Sequence, residues 1–320
     1  MNLIVSAIGQ GLLWALLGLG LYLTFRILNF ADMTVEGTFP LGAAVAVANL
    51  AHGMSPYLAT FLALLAGMIA GLVTGLLYTK GKIPILLAGI LTMTAIYSIN
   101  LRIMGGSNIS LIGKKTLLNN EFLKSLPQYF NSVVLGVIVV VIITGILVFF
   151  LNTDFGQAFI ATGDNPKMAK SSSLVGSEMC IRDRDNPKMA KSLGIYTDSM
   201  IIIGLMLSNG IVALCGALIA QNNGYADINM GIGTIVIALA SIIIGEVAFG
   251  ELTLNQRLVA VTLGSIIYRL ILLAVLQLGF SANDLNLISS IVLALCMMLP
   301  QLEKIAHLKK TIERGVKKHD

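Results

Sequence analysis

Long apolar runs separated by short polar stretches dominate the chain. Because a membrane-spanning helix needs about 20 predominantly apolar residues, the pattern predicts nine hydrophobic segments. They cover residues 3–28, 37–50, 57–78, 84–103, 133–151, 200–220, 232–248, 258–280 and 285–300. The predicted fold class is therefore all-α, a polytopic integral membrane helical bundle with about 8–10 transmembrane or re-entrant helices.

Two of these segments are candidates for broken or re-entrant helices. Segment 37–50 is short and contains Pro40, and segment 232–248 ends near Glu246. Such breaks at membrane depth are tolerated only where they are buried in protein or line a cavity. If all nine segments cross the membrane, the N-terminus lies outside the cell; if 37–50 is re-entrant, it lies inside.

Composition and charge agree with a membrane location. The 320 residues are 56% hydrophobic and 12% charged, whereas about a quarter of a soluble domain is charged, so lipid must surround most of the surface. The net charge is +5. Basic residues concentrate in loop 152–199, at Lys80 and Lys82, and in the C-terminal tail, all of which the positive-inside rule places in the cytoplasm. The basic balance thus needs no nucleic-acid partner, and we expect none.

The central loop contains a duplication. The octapeptide DNPKMAKS occupies residues 164–171 and again residues 185–192. The stretch between the copies resembles translated adapter sequence found in assembled genomes. We therefore interpret residues 172–184 as a sequence artefact, the alternative being a genuine tandem insertion. No function is assigned to the chemistry-bearing residues inside it, which are Cys180, Arg182 and Arg184.

Polar and ionisable side chains at membrane depth are the candidate functional residues, because such groups are costly in lipid and usually face the bundle interior or water. Asp32 and Glu36 are four positions apart and would share one face of a helix. For Arg269, in the middle of a run, we favour a structural pair with Glu36 or Glu246 over a role in transport. The full set of predicted pathway residues is Asn29, Asp32, Thr34, Glu36, Asn100 and Arg269.

Motifs for catalysis are missing from the sequence. The cysteines have no CxxC or metal-ligand spacing, and no paired acid and base, Ser/His pair or metal constellation stands out in the apolar segments. No GxxxxGK[ST] motif occurs, so the chain has no phosphate-binding loop of that kind. We expect no enzyme active site, no metal and no cofactor.

A ridge of small residues marks the third segment. Gly67, Gly71 and Gly75 recur every four residues, a spacing that lets two membrane helices approach closely. We expect this ridge to pack within one subunit rather than to form a dimer seam.

Three stretches resemble a known family. ILNFADMTVEG, residues 27–37, is similar to the turn containing NFA that follows the first helix of branched-chain amino-acid and ribose-type permeases. Residues 85–105 and 223–246 resemble a subgroup of that family labelled as tryptophan/tyrosine permeases. The resemblance covers nearly the whole chain outside the inserted stretch. It implies a transmembrane permease domain over residues 1–303 and a basic cytoplasmic tail over residues 304–320.

The sequence NPKMAKSLGI, residues 186–195, resembles the cytoplasmic coupling loop of importer permeases in the ATP-binding-cassette class. Asn and Pro suit the start of a short helix, and Gly194 can end it. The acidic residue usual in the family pattern is absent. The residues implied to contact the ATPase are Asn186, Pro187, Lys188, Met189, Ala190 and Gly194.

The resemblance implies a division of labour between subunits. A homodimer of permeases in the bacterial plasma membrane would work with a cytoplasmic ATP-binding subunit and an extracytoplasmic substrate-binding protein. The solute would be small, an amino acid and, from the subgroup label, an aromatic one. The alternative is a stand-alone secondary transporter or channel that uses the intramembrane residues Asp32, Glu36 and Arg269.

Overall fold

A computed structural model describes residues 2–119, 130–163, 197–250 and 252–278, with a few further positions between 287 and 294. Nine helices and two short strands are described. They are α1 (Asn2–Tyr22), α2 (Val35–Ala51), α3 (Pro56–Thr79), α4 (Ile85–Met104), β1 (Asn108–Ser110), α5 (Phe130–Leu151), α6 (Asp154–Gly163), α7 (Thr197–Asn223), β2 (Tyr225–Asp227), α8 (Thr234–Phe249) and α9 (Leu254–Gln277).

The predicted all-α membrane bundle is confirmed. Seven helices in the described part of the chain are long and apolar enough to cross a membrane. Each predicted apolar segment that lies in the described ranges is a helix within a few residues of its predicted bounds. The last segment, 285–300, falls mostly outside the described residues.

Helix α7 forms the centre of the bundle. It packs against α1, α2 and α3. In its most apolar stretch of 18 residues 78% are buried, compared with 17% in that of α5. The glycine ridge of α3 makes this packing close, because a Cβ at Gly71 would meet the carbonyl oxygen of Leu205 and one at Gly67 would meet that of Asn209. The prediction that the ridge packs within one subunit is confirmed.

The connection from α1 to α2 is irregular and buried. A π-helical turn, Leu23–Ile27, extends α1, and Asn29 then adopts a left-handed conformation with φ 58°. Helix α2 begins at Val35 and stays continuous through Pro40. Because proline has no N–H to donate to the carbonyl four residues earlier, the Glu36 carbonyl is left free of that bond. It faces Gly231, which has no side chain to obstruct it.

The two ends of the bundle can be told apart. At one end the start of α1 packs on the start of α5, where Gly9 meets Ser132. Strands β1 and β2 pair antiparallel beyond the end of α7. Lys114 Nζ donates to Ala51 O at 2.9 Å, so α2 returns the chain to the end at which α1 begins. With loop 152–199 predicted to be cytoplasmic, this corresponds to the arrangement that places the N-terminus outside.

The opposite end carries a helix that the sequence did not predict. Helix α6 lies inside the loop predicted as 152–199 and begins after Thr153, whose hydroxyl accepts a hydrogen bond from Gly156 N at 3.1 Å. Phe159 is fully buried, and Gly163 lies against the Ile27 carbonyl at the end of α1. The predicted coupling residues 186–194, the duplication and the basic tail all lie outside the described residues.

Candidate functional site

A hydrogen-bonded network surrounds Asp32 inside the bundle. Asp32 is buried, with only 2% of the residue exposed. Oδ1 accepts from Thr34 N at 2.9 Å, and Oδ2 accepts from Asn209 Nδ2, in the middle of α7, at 2.8 Å. Asn209 Oδ1 in turn accepts from the Thr38 hydroxyl at 2.9 Å. These bonds satisfy buried polar atoms that would otherwise cost about 1–3 kcal/mol each.

The network extends to α3 through two hydroxyl groups. Thr34 Oγ1 lies 2.9 Å from Thr74 Oγ1, and both side chains are fully buried. Among the described residues, no Lys, Arg or His pairs with Asp32. A carboxylate held this way ties α2, α3 and α7 together through dipoles rather than through an ion pair.

The prediction that Asp32 and Glu36 share one helix face is wrong. Helix α2 starts only at Val35, and Asp32 lies before it in a turn closed by its own side chain on Thr34 N. Because the backbone is not helical at Asp32, the four-residue spacing does not align the two carboxylates. Asp32 contacts α7, whereas Glu36 Oε1 accepts from Gly233 N at 3.2 Å, immediately before α8.

Glu36 lines a cavity of about 240 Å³ between α2, α4 and the segment that precedes α8. Helices α2 and α8 both begin beside it, and helix N-termini carry partial positive charge. Most of the remaining lining is apolar, with an aromatic ring and a few polar groups. The lining residues are Glu36, Gly37, Pro40, Met93, Thr94, Tyr97, Asn100, Ile228, Asn229 and Ile232.

Asn100 is a buried polar residue of this cavity whose side chain lacks a partner among the described residues. Its side chain is completely buried, yet neither its Oδ1 nor its Nδ2 has a hydrogen-bond partner in the described structure. Buried amides are normally hydrogen-bonded, and an exception requires an explanation. A bound solute that both donates and accepts would satisfy it.

The remaining predicted pathway residues lie elsewhere. Asn29 is exposed in the turn after α1. We had expected Arg269 to pair with Glu36 or Glu246, but among the described residues it forms a salt bridge with neither. Its guanidinium lies 4.2 Å from the centroid of the Trp14 ring, while Glu246 pairs with Arg26 at 2.9 Å. The pairing prediction is therefore wrong: the Trp14 ring lies against the Arg269 guanidinium, and Glu246 is already paired with Arg26.

Two members of the network were missed from sequence. Asn209 interrupts the apolar run of α7 much as Asn100 interrupts that of α4, so the same criterion of polarity at membrane depth identifies it. Thr74 gives no comparable signal, since threonine is common in membrane helices and can bond its own helix, as Thr74 also does to Ala70 O at 3.2 Å.

Comparison with known proteins places this geometry in a family. Residues 3–174 and 180–299 match the family described as "Branched-chain amino acid transport system / permease component". The chain is 40% identical over 318 residues to the tyrosine transport system permease protein of Clostridioides difficile (strain R20291), covering 99% of this chain and 97% of that one. It is 33% identical over 297 residues to an uncharacterized protein of Rickettsia prowazekii (strain Madrid E), covering 92% and 96%. No solved structure matches.

The apolar helical bundle and its polar interior thus define a multi-pass membrane protein of solute transport, which in bacteria resides in the plasma membrane. The chain belongs to the branched-chain amino acid transport system permease family, and the resemblance stated from its sequence motifs is confirmed.

Proposed function

We propose that this permease is the membrane-spanning subunit of an ATP-binding-cassette importer that moves a small solute, an amino acid, inward. The observation that carries the proposal is the cavity where the Glu36 carboxylate and the unpartnered Asn100 amide meet two helix N-termini. Discontinuous helices that begin at membrane depth commonly form solute sites in transporters. The Clostridioides difficile relative is a tyrosine transport system permease protein, which supports an aromatic amino acid as the solute.

The lining has the chemistry that an amino acid requires. The carboxylate of Glu36 receives one backbone bond, from Gly233, and retains acceptor capacity for an ammonium group. Asn100 can donate to and accept from the solute. Tyr97 and Ile232 provide an aromatic and an aliphatic surface for a side chain. The cavity far exceeds the roughly 10–15 Å³ that a single water needs.

A second copy of the chain would complete the passage. Two residues of the cavity lining are largely exposed, Tyr97 at 49% and Ile232 at 64%. In a homodimer these faces would meet and enclose a shared pathway. An extracytoplasmic binding protein would then deliver the solute to the outer end, where β1 and β2 pair.

A separate cytoplasmic subunit would hydrolyse the ATP, because the sequence lacks a GxxxxGK[ST] motif. Residues 186–194 would contact that subunit, and α6, which packs under the end of α1, would pass the movement to the bundle. Replacing Ala190 or Gly194 with Trp should abolish uptake while membrane insertion stays normal. Normal uptake by both variants would exclude this segment as the coupling element.

The alternative function is a stand-alone secondary transporter or channel. The observation that favours it is Asp32, a carboxylate buried in the bundle without a cationic partner among the described residues. Uptake by cells expressing the permease distinguishes the two functions. An importer driven by ATP loses uptake when ATP is depleted and keeps it when a proton uncoupler is added under conditions that hold ATP constant. The reverse pattern would support the alternative.

A further inference from the structure

A second cavity, of about 140 Å³, lies between α1, α7 and α9 and shares no lining residue with the Glu36 cavity. It lies at the C-terminal end of α7, where Asn223 is exposed. Arg269 reaches it from α9, within a helix apolar enough to cross the membrane. The lining residues are Gln10, Leu13, Trp14, Ile219, Asn222, Asn223 and Arg269.

Arg269 brings an uncompensated positive charge to this cavity. Its Nε is shielded from solvent and has no hydrogen-bond partner among the residues described. Among the described residues, the salt bridge joins Arg26 to Glu246, and Arg269 forms none. The face of Trp14, 4.2 Å away, offsets part of the charge. Arg269 is only partly exposed, and a shielded charge of this kind usually has a hydrogen-bonded counter-charge. Among the described residues, the structure gives it the Trp14 ring and no carboxylate.

The neighbouring amides add donors rather than negative charge. Asn222 Oδ1 is occupied, because it accepts from the Ser132 hydroxyl at 2.7 Å. Its Nδ2 makes only a long contact of 3.5 Å with Asn223 Oδ1. Asn222 therefore keeps donor capacity next to the cavity that Arg269 enters. A cation would be repelled by this site, and a neutral solute would leave the charge uncompensated.

We propose that this cavity is a binding site for a small monovalent anion, a halide or the carboxylate of a small organic acid, with Arg269 as the main ligand and the Asn222 amide as a second donor. The site is independent of the proposed transport pathway, which involves Glu36 and Asn100. An occupied site would neutralise the charge that Arg269 of α9 holds against Trp14 of α1, and it would stabilise that contact between the two helices.

The chain contains a single tryptophan, and it forms a wall of this cavity. Trp14 fluorescence therefore reports on the site alone. The experiment titrates sodium iodide, an anion that quenches indole, into the full-length chain in detergent micelles, with the sodium salt of a bulky sulfonate holding ionic strength constant. The proposal predicts saturable quenching that chloride and acetate reverse by competition. Quenching that rises linearly without saturation, and that chloride and acetate do not affect, would overturn it.

Variants tie the signal to the guanidinium. Arg269→Gln should weaken apparent iodide affinity by about tenfold or more, equivalent to about 1.4 kcal/mol or more, and Arg269→Lys should retain saturable binding. Arg26→Gln is the matched control, because Arg26 already has a carboxylate partner, and it should titrate like the wild type. If Arg269→Gln fails to fold, Asn222→Leu replaces it and should weaken binding. Saturable quenching equal to wild type in the folded variant would contradict the site.

Discussion

Arg26 Nε lies 2.9 Å from Glu246 Oε1, and this ion pair joins the π-helical end of α1 to the last turn of α8. The two side chains are 46% and 25% exposed, and ion pairs this accessible contribute about 0.2–1 kcal/mol. We therefore expect Arg26→Gln and Glu246→Gln each to lower the free energy of unfolding only slightly. A double-mutant cycle on the purified chain measures the coupling. A coupling of about 3 kcal/mol, typical of a buried pair, would show that this estimate is wrong.

Asn209 should be much more sensitive. Asn209→Leu removes the donor to Asp32 Oδ2 and the acceptor of the Thr38 hydroxyl. Thr38 keeps a bond to Val35 O at 3.3 Å, but Asp32 Oδ2 is left buried and unpaired, which should cost about 1–3 kcal/mol. Because the penalty comes from the orphaned partner, Asp32→Leu combined with Asn209→Leu should be less destabilised than the sum of the single variants. Thermal unfolding midpoints of the three variants test this. Strict additivity would mean that Asp32 and Asn209 do not interact.

The contact between α3 and α7 predicts a contrast between two glycines. At Gly71 an added Cβ would meet the Leu205 carbonyl, whereas at Gly145 in the lipid-facing helix α5 it would meet nothing within 4 Å. Gly71→Ala should destabilise by about 1–3 kcal/mol through overpacking. Gly145→Ala should be neutral or stabilising, since alanine favours a helix by up to about 1 kcal/mol. Unfolding midpoints in the same detergent compare them, and equal effects would argue against this close packing.

The duplicated loop leads to a prediction about coupling. Removing residues 164–184 leaves one copy of DNPKMAKS and closes the loop to ATGDNPKMAKSLGI. The family match itself is interrupted at residues 175–179, which agrees with an inserted stretch. We expect the shortened chain to insert normally and to support uptake at least as well as the full chain. Loss of uptake on deletion, with insertion unchanged, would instead show that the inserted stretch has a function.

Much of the fold follows from hydrophobic pattern alone, because lipid forces nearly every long apolar run into a helix. Helix α6 was missed because the search was for apolar runs long enough to span the membrane, and α6 has only 10 residues. Its one fully buried aromatic residue, Phe159, packs at the end of the bundle rather than in lipid. Its amphipathic pattern would be recognised as a helix in a soluble protein but gives no signal when spans are sought.

The candidate site was only half predictable. Polar residues in apolar runs identified Glu36 and Asn100, which the structure brings to one cavity. Sequence could not give their partners, since Glu36 bonds Gly233, 197 residues away. The contact of Arg269 with Trp14 likewise depends on which helices pack together, and no local periodicity encodes that.

The proposed pathway depends most directly on the unpartnered amide in the Glu36 cavity. Asn100→Leu keeps a similar volume but removes its polar atoms, and Glu36→Gln removes the charge. Asn49→Leu is the matched control, because Asn49 lies on α2, is absent from the cavity lining, and bonds only Val45 O of its own helix.

The decisive measurement is ATP-dependent uptake of radiolabelled tyrosine by cells that express the complete transport system, at matched amounts of membrane-inserted permease. The account predicts that Asn100→Leu and Glu36→Gln each lower the uptake rate by about tenfold or more, the loss of about 1.4 kcal/mol or more of solute interaction, while Asn49→Leu transports like the wild type. Wild-type uptake of tyrosine by both cavity variants would contradict it.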